Sequence, residues 1–190
     1  MRYDMAPPGF EPVLSGAING KTAFATMVKE IGQEPSDPIV LYLDFANVSV
    51  ATASYLRESV FALKAYLRNI GSKFYPVAAN VNESVYDELL TIAHAKNDAI
   101  ISCNLSTQGV VSDISLIGQL DPKQQMTFDL VNELQDTDAG SLMKQYGERE
   151  QVTGTTAWNN RLAGPAARGL IREFTRGRAK YYRPVLEVIE

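Results

Sequence analysis

One short stretch, residues 39–45 (IVLYLDF), is apolar on both of the alternating sides that a β-strand presents. A strand of this kind is usually covered on both faces, as the inner strands of parallel sheets are. The residues around it alternate between further apolar runs and amphipathic stretches with the 3.6-residue period of helices. The first part of the chain is therefore predicted to be an α/β domain, a sheet packed against helices.

This alternation of strands and helices continues through residues 1–120. Strands are predicted at residues 12–18, 39–45, 74–81 and 99–103, and helices at residues 21–33, 52–70 and 82–96. Residues 110–120 are predicted to be either a strand or irregular. The dipeptide Asn19-Gly20 favours a tight turn, so a turn is predicted between the first strand and the first helix. Asn82 is predicted to cap the third helix, and Gly71 to end the second.

The pattern changes at Asp121-Pro122, where helices begin to follow one another. Asp121 is predicted to cap a helix with Pro122 at its first position, and Asp136 or Asp138 to cap the next. Helices are predicted at residues 122–135, 139–146 and 155–169, and strands at residues 170–174 and 179–185. The chain is thus predicted to contain two domains, residues 1–120 and residues 121–190.

The chain carries 18 basic and 22 acidic residues, a net charge of −4, but the charges are unevenly distributed. Residues 1–153 hold 11 basic and 19 acidic residues, whereas residues 154–184 hold seven basic residues and one acidic residue. The second segment therefore has a local charge of +6. Such a segment points to contact with nucleic acid or a membrane, and a solvated charged surface is the alternative.

Three helices followed by a hairpin, with the sequence GTTAWNNRLAGPAARGLIREFTRGRAKYYRPV, resemble a winged helix-turn-helix domain. The resemblance implies that the third helix and the hairpin contact duplex DNA. Polar side chains at a helix start can reach base edges or phosphates, and arginines at a hairpin tip can reach phosphates or a minor groove. The predicted DNA-binding residues are Thr155, Thr156, Asn159, Asn160, Arg161, Arg176, Arg178 and Lys180.

Each of these residue types has a plainer interpretation. The asparagines could be caps or surface residues, and the arginines could make a solubilising turn.

Trp158 and Leu162, four residues apart, are predicted to anchor the third helix in the core. Pro165 lies inside the same predicted helix, where proline removes the hydrogen bond to the carbonyl of Arg161. The helix is therefore expected either to kink at Pro165 or to end near Ala163.

The sequence LDFANV at residues 43–48, followed by TASYL at residues 52–56, resembles the STAS domain of anti-sigma-factor antagonists, and more closely a STAS-like branch found beside helix-turn-helix modules. In the antagonists a hydroxyl at the start of the following helix is a phosphorylation switch for a partner kinase. The matching hydroxyls are Thr52 and Ser54, and a phosphate at a helix N-terminus is electrostatically favourable. The alternative is that they serve as helix caps, and Asp44 as an acceptor that fixes the loop.

Several classes of function are disfavoured by the composition. The chain has one cysteine and one histidine and contains neither a G-x-G-x-x-G nor a Walker sequence, so no catalytic residue, metal site or cofactor is predicted. No apolar run approaches the ~18 residues of a membrane span, and residues 1–10 lack the apolar centre of a signal peptide. A cytoplasmic protein without membrane contact is expected.

The leading hypothesis is a non-enzymatic transcriptional regulator: a STAS-like α/β domain that senses or oligomerises, followed by an α+β winged helix domain that binds double-stranded DNA. A homodimer is expected from the two-fold symmetry of most helix-turn-helix regulators. One alternative is a partner-switching adaptor, in which the winged helix docks a protein and the STAS-like half meets a kinase or anti-sigma-like partner. Another is a STAS-like scaffold that polymerises.

Overall fold

The computed structural model describes residues 1–7, 9 and 12–187. The protein is a mixed α/β protein with a mostly parallel central sheet. It divides into two compact units, Met1–Gln119 and Leu120–Glu190. The division falls beside the Asp121-Pro122 dipeptide, where the sequence pattern changes from alternating elements to consecutive helices.

The first unit is built on a five-stranded sheet. Its strands in chain order are β1 (Arg2–Asp4), β3 (Ile39–Asp44), β5 (Phe74–Ala79), β6 (Ala99–Leu105) and β7 (Val111–Gly118); a separate pair is formed by β2 (Val13–Leu14) and β4 (Val50–Ala51). The spatial order is β1-β3-β5-β6-β7, with β7 antiparallel to β6 at one edge and the other neighbours parallel. The apolar strand β3 is therefore an inner strand, as its composition predicts.

Helices connect the parallel strands of the first unit. They are α1 (Ala17–Ile31), α2 (Ala53–Leu56), a π-helical segment (Arg57–Phe61), α3 (Ala62–Asn69) and α4 (Glu83–Lys96). Helix α1 packs against α2 and the π-helical segment, and α4 packs against α2, β6 and β7. Asn82 caps α4 by accepting a hydrogen bond from the backbone N–H of Val85, so the predicted cap is confirmed.

The core of the first unit lies between these helices and one face of the sheet. Leu41, Leu43, Ala78, Ile100 and Ile117 are buried there. Their cross-strand register puts them on the same side of the sheet, because paired residues share a face. The helices contribute Met27, Leu56, Leu63, Leu67 and Leu89 to the same cluster.

The predicted turn at Asn19-Gly20 is wrong, because both residues lie inside α1. The predicted strand at residues 12–18 is correspondingly reduced to the two residues of β2. A Cβ atom on Gly20 would lie 2.6 Å from the backbone oxygen of Tyr55. Gly20 therefore allows α1 to approach the backbone of α2, a long-range contact that a local turn pattern does not reveal.

We expect Gly20→Ala to destabilise the protein by about 1–3 kcal/mol, because the new methyl group would overlap backbone atoms of α2. In an ordinary helix the same change is stabilising by up to ~1 kcal/mol. The sign of the measured change in stability therefore distinguishes an effect of close packing from one of helix propensity. Urea unfolding monitored by circular dichroism measures the difference. Lys21→Ala, at the adjacent exposed position, is the control, and equal stability of the two variants would contradict the proposed role of Gly20.

The helix predicted at residues 52–70 is present, but its second turn is π-helical. Thr52 caps it, and Gly71 follows it with a φ of 66°. The Ser59 hydroxyl donates a 2.7 Å hydrogen bond to the carbonyl oxygen of Tyr55 within the wider turn. Short π-helical segments inside α-helices are found frequently at functional sites.

An ion pair in the first unit joins α3 to the start of β6. The Nζ atom of Lys64 lies 2.6 and 2.7 Å from the two carboxylate oxygens of Asp98. The side chain of Lys64 is only 4% exposed and that of Asp98 is 26% exposed. Lys64 is thus buried together with an acidic partner.

The second unit consists of three helices and a hairpin. Its elements are α5 (Pro122–Leu134), α6 (Ala139–Tyr146), α7 (Thr155–Ala167), β8 (Ile171–Arg176) and β9 (Ala179–Pro184). The carboxylate of Asp121 accepts hydrogen bonds from Lys123 N and Gln124 N, each at 3.0 Å. Asp138 caps α6 in the same way, so the structure selects it over Asp136 as the cap.

The three helices enclose a small core that also receives the hairpin. Trp158 and Leu162 of α7 are fully buried, as predicted, and Ile171 and Tyr182 reach the same cluster from β8 and β9. Thr137 and Tyr182 exchange backbone hydrogen bonds of 3.1 and 2.8 Å. This antiparallel bridge fixes the segment between α5 and α6 to the hairpin.

Helix α7 continues through Pro165 to Ala167, so of the two expectations for this helix the end near Ala163 is wrong. Pro165 is buried, and its carbonyl oxygen accepts a 2.9 Å hydrogen bond from Leu170 N. Burial of the proline ring offsets the missing hydrogen bond to Arg161. A helix of 13 residues is therefore available to present polar residues from its first turns.

Candidate nucleic-acid interface

The hairpin of the second unit turns tightly at Gly177 and Arg178. Gly177 has a φ of 64°, which suits the first of the two central residues of a hairpin turn. Arg178 is therefore in the turn itself, whereas Arg176 is the last residue of β8. The pairing register of β8 with β9 then places the positively charged side chains of the hairpin on its two different faces.

The pairing of β8 with β9 decides which face each side chain occupies. Thr175 pairs with Lys180 and Glu173 with Tyr182, so these four residues lie on the face that includes the buried Tyr182. Arg176 pairs with Ala179, Phe174 with Tyr181 and Arg172 with Arg183, and these residues lie on the other face. Lys180 therefore faces the helices, and Arg176 faces away from them.

A groove of about 540 Å³ lies between the hairpin, α7 and the start of α6. Its polar walls are Thr155, Asn159 and Asn160 from α7, and Arg178 and Lys180 from the hairpin. Small residues lie between the walls: Ala139, Gly140, Ala163 and Ala179. The groove thus combines hydrogen-bonding side chains from α7 with cationic side chains from the hairpin.

The structure brings five of the eight predicted DNA-binding residues into this groove and places the other three elsewhere. Thr156 is exposed on α7 but does not line the groove. The guanidinium of Arg161 lies 5.2 Å from the ring centre of Trp158 and has one nitrogen buried without a hydrogen-bond partner. Arg176 is on the opposite face of the hairpin.

Arg176 is engaged in a cluster with Asp136. Its guanidinium lies 3.0 Å from a carboxylate oxygen of Asp136, and Arg183 contacts the same oxygen at 2.7 Å. The Arg176 guanidinium also lies 5.0 and 4.8 Å from the ring centres of Phe174 and Tyr181. Burial alone would raise the pKa of Asp136, but hydrogen bonds and charge from the two arginines outweigh it and lower that pKa.

The cations of the groove are held less firmly. Lys180 pairs with Glu173 at 2.7 Å, and both side chains are substantially exposed. An exposed pair of this kind contributes little, about 0–1 kcal/mol, so a phosphate could compete for the lysine. Within the described residues, Arg178 forms no ion pair. Both side chains are therefore available to an anionic ligand.

One carboxylate, that of Asp138, also lines the groove. It accepts hydrogen bonds from Gly140 N at 2.7 Å and from the Ser141 hydroxyl at 2.7 Å. Burial would raise the pKa of Asp138, but these hydrogen bonds, with that of Ser141 N, lower it. The side chain of Asp138 therefore already caps the N-terminus of α6. The polar groups that can bind a ligand are those of α7 and the hairpin.

The two hydroxyls predicted as a phosphorylation switch lie together at the start of α2. Thr52 Oγ1 accepts hydrogen bonds from Tyr55 N at 3.4 Å and Gly16 N at 3.3 Å, and it lies 3.2 Å from Ser54 Oγ. Both residues are half-buried. Thr52 is thus the helix cap, the alternative interpretation of this motif.

Asp44 fixes the loop after β3, as its position at a strand end predicts. It accepts hydrogen bonds from Ala46 N and from the Asn80 side chain, each at 2.9 Å, and it contacts Arg2 at 2.5 Å. Cys103 lies nearby, and burial, followed by the charge of Asp44, raises the pKa of its thiol to about 11. The thiol is therefore protonated at neutral pH.

Besides the four small residues, two further residues of the groove, Asp138 and Tyr182, are not among the predicted contact residues. The sequence marks Asp138 only as a cap and Tyr182 only as a packing residue. The period-2 alternation of β9 places Lys180 and Tyr182 on one side of the strand, and this spacing could have identified Tyr182. Asp138 carries no comparable signal, because only the tertiary fold brings the start of α6 beside the hairpin.

In the part of the chain that the structure describes, no group of three or more His, Cys, Asp or Glu side chains could hold a metal ion. None of the described helices is long and apolar enough to cross a membrane. Comparison of the chain with protein-family models, curated proteins and solved structures gave no match.

Proposed function

We propose that the protein is a DNA-binding transcriptional regulator whose second unit is a winged helix module and whose first unit is STAS-like. In this proposal, the groove between α7 and the hairpin is the DNA-binding surface. Helix α7 supplies contacts to base edges, and the hairpin supplies contacts to phosphates. The first unit provides sensing or oligomerisation.

The observation that carries this proposal is the convergence of five polar residues, far apart in sequence, on one groove. Asn159 and Asn160 come from a helix, while Arg178 and Lys180 come from a hairpin turn and the strand after it. Asparagine can form two hydrogen bonds to an adenine edge, and arginine or lysine neutralises phosphates. A surface with both kinds of group suits a duplex, which presents base edges between two phosphate backbones.

The arrangement of the second unit gives further support. The order helix, helix, helix, hairpin agrees with that of a winged helix domain. The bridge between Thr137 and Tyr182 ties the hairpin to the helices, so the groove walls are held by a shared core. A rigid support of this kind is what a recognition surface requires.

A salt titration of the full chain with duplex DNA tests the proposal. Fluorescence anisotropy with a labelled mixed-sequence duplex, between about 50 and 200 mM salt, gives the dependence of affinity on salt. We expect binding at the lower salt concentration and a log–log slope near −0.9 for each phosphate neutralised. Absence of binding at low salt, or a slope of zero, would refute DNA binding.

The variants Arg178→Ala and Lys180→Ala identify the surface that binds. Together they are expected to lower affinity roughly tenfold and to reduce the magnitude of the slope by about two, because two phosphate contacts are lost. Arg176→Ala should have a smaller effect, since Asp136 already neutralises that guanidinium. Arg57→Ala, an exposed cation of the first unit, is the control for the loss of one positive charge. Equal effects of all four substitutions would argue against the groove.

A further inference from the structure

The first unit contains a cavity of about 650 Å³ between α1, the ends of β1 and β2, and the start of α2. Its volume is within the range of small-molecule sites, about 300–1,000 Å³. The cavity is formed by residues far apart in the sequence, among them Tyr3, Glu30 and Tyr55. None of the predicted functional residues lines it.

One side of the cavity is aromatic and apolar. Tyr3 is half-buried and Tyr55 is buried, and the apolar residues Met5 and Leu14 lie beside them. Burial raises the pKa of Tyr55 to about 12, and burial followed by the charge of Glu30 raises that of Tyr3. Both phenols are therefore neutral at physiological pH. Both residues line the cavity.

The other side, formed by α1, is rich in hydrogen-bond acceptors. The hydroxyls of Thr22 and Thr26 donate to the carbonyl oxygens of Ile18 and Thr22, at 3.2 and 3.0 Å. Because their hydrogens are used within the helix, these hydroxyls present lone pairs to the cavity. The carboxylate of Glu30 adds a negative charge to the same side.

Tyr55 is held in position by its surroundings. Gly20 of α1 packs against its backbone, and Ser59 donates a hydrogen bond to its carbonyl oxygen in the π-helical segment. The neighbouring cap, Thr52, accepts a hydrogen bond from its N–H. These contacts fix the backbone of Tyr55, so this part of the cavity lining needs little reordering when a ligand binds.

We propose that this cavity binds a small organic cation, an ammonium or amidinium group carried on an apolar carbon skeleton. The aromatic rings and the carboxylate attract positive charge, and the threonine hydroxyls accept hydrogen bonds from it. Among the described lining residues there is no lysine, arginine or histidine, so an anionic ligand would lack a counter-charge. The apolar side accommodates the carbon skeleton.

Calorimetric titration of the full chain with matched probes tests the proposal. Tyramine and agmatine carry the cation, tyrosol is the neutral analogue of tyramine, and 4-hydroxyphenylacetate is its anionic analogue. We expect at least one cationic probe to bind, tyrosol to bind more weakly than tyramine, and the anion not to bind. Failure of both cations to bind, or equal binding of tyramine and the anion, would overturn the proposal.

Two substitutions locate the binding. Glu30→Gln removes the charge and Tyr55→Phe removes only the hydroxyl, and each should weaken binding of the cation by about three- to tenfold. Glu83→Gln, an exposed glutamate of α4 outside the cavity, is the matched control and should leave the affinity unchanged. Unchanged binding in both Glu30→Gln and Tyr55→Phe would place the ligand elsewhere. The titration contains no DNA, so its failure and failure of the proposed DNA binding are separate results.

Discussion

Replacing Trp158 by alanine is expected to destabilise the second unit by about 3–5 kcal/mol, the largest effect of any single substitution considered. Trp158 is fully buried and lies at the centre of the cluster formed by the three helices and the hairpin. Its removal would leave a cavity that the surrounding side chains can fill only in part. Its indole N–H also donates a 3.0 Å hydrogen bond to the carbonyl oxygen of Val152.

The same substitution should abolish DNA binding, because the two walls of the groove share this core. Asn159 and Asn160 follow Trp158 directly in α7, and Tyr182 links the cluster to the strand that carries Lys180. We therefore expect loss of stability and loss of affinity together. A substitution on the groove surface, such as Arg178→Ala, should lower affinity alone.

Urea unfolding monitored by circular dichroism measures the first effect, since Trp158 is the only tryptophan and its fluorescence is lost in the variant. Ile18→Ala, at an apolar side chain that is 82% exposed, is the control and should change stability by no more than about 0.5 kcal/mol. A Trp158→Ala variant with wild-type stability would show that the buried cluster around Trp158 does not stabilise the second unit.

The elements that the sequence predicts best are those determined by local chemistry. Asn82 and Asp121 are caps because a short polar side chain at a helix start satisfies free N–H groups, a relation that spans three residues. The same relation leaves Asp136 and Asp138 as alternatives for α6, and the structure selects Asp138. The buried strand β3 follows equally from its own composition. The anchors Trp158 and Leu162 follow from helical spacing.

The features that the sequence does not predict depend on contacts between distant segments. Gly20 resembles a turn residue and instead lies inside α1, where a Cβ atom would lie 2.6 Å from the backbone oxygen of Tyr55 in α2. Arg176 and Arg178 are neighbours in a basic tip, but the strand register sends Arg176 to Asp136 and leaves Arg178 at the groove. The cavity of the first unit has no sequence motif, because α1, β1 and α2 form it together.

The second large effect that we expect is that of Asp98→Ala, which removes the carboxylate and should destabilise the protein by about 3 kcal/mol. Lys64 is 4% exposed, and Asp98 supplies two of its hydrogen bonds. A buried ammonium that loses its counter-charge retains the desolvation cost without the compensating attraction. Asp98 also accepts a 2.8 Å hydrogen bond from Ala99 N, so its removal weakens the start of β6 as well.

Variants of both partners distinguish the charge from these other contributions. Asp98→Asn keeps an acceptor for Ala99 N and should be less destabilising than Asp98→Ala, with the difference measuring the lost hydrogen bonds. Lys64→Met should be less destabilising than Asp98→Ala, because the carboxylate left behind is 26% exposed and can be hydrated. In the double variant it should rescue part of the loss, because the apolar side chain needs no counter-charge. The free energies of unfolding of the four variants, from urea titrations, complete the cycle. If Asp98→Ala cost as much in the Lys64→Met background as in the wild type, the two side chains would be energetically independent, and the destabilisation would come from the start of β6 alone.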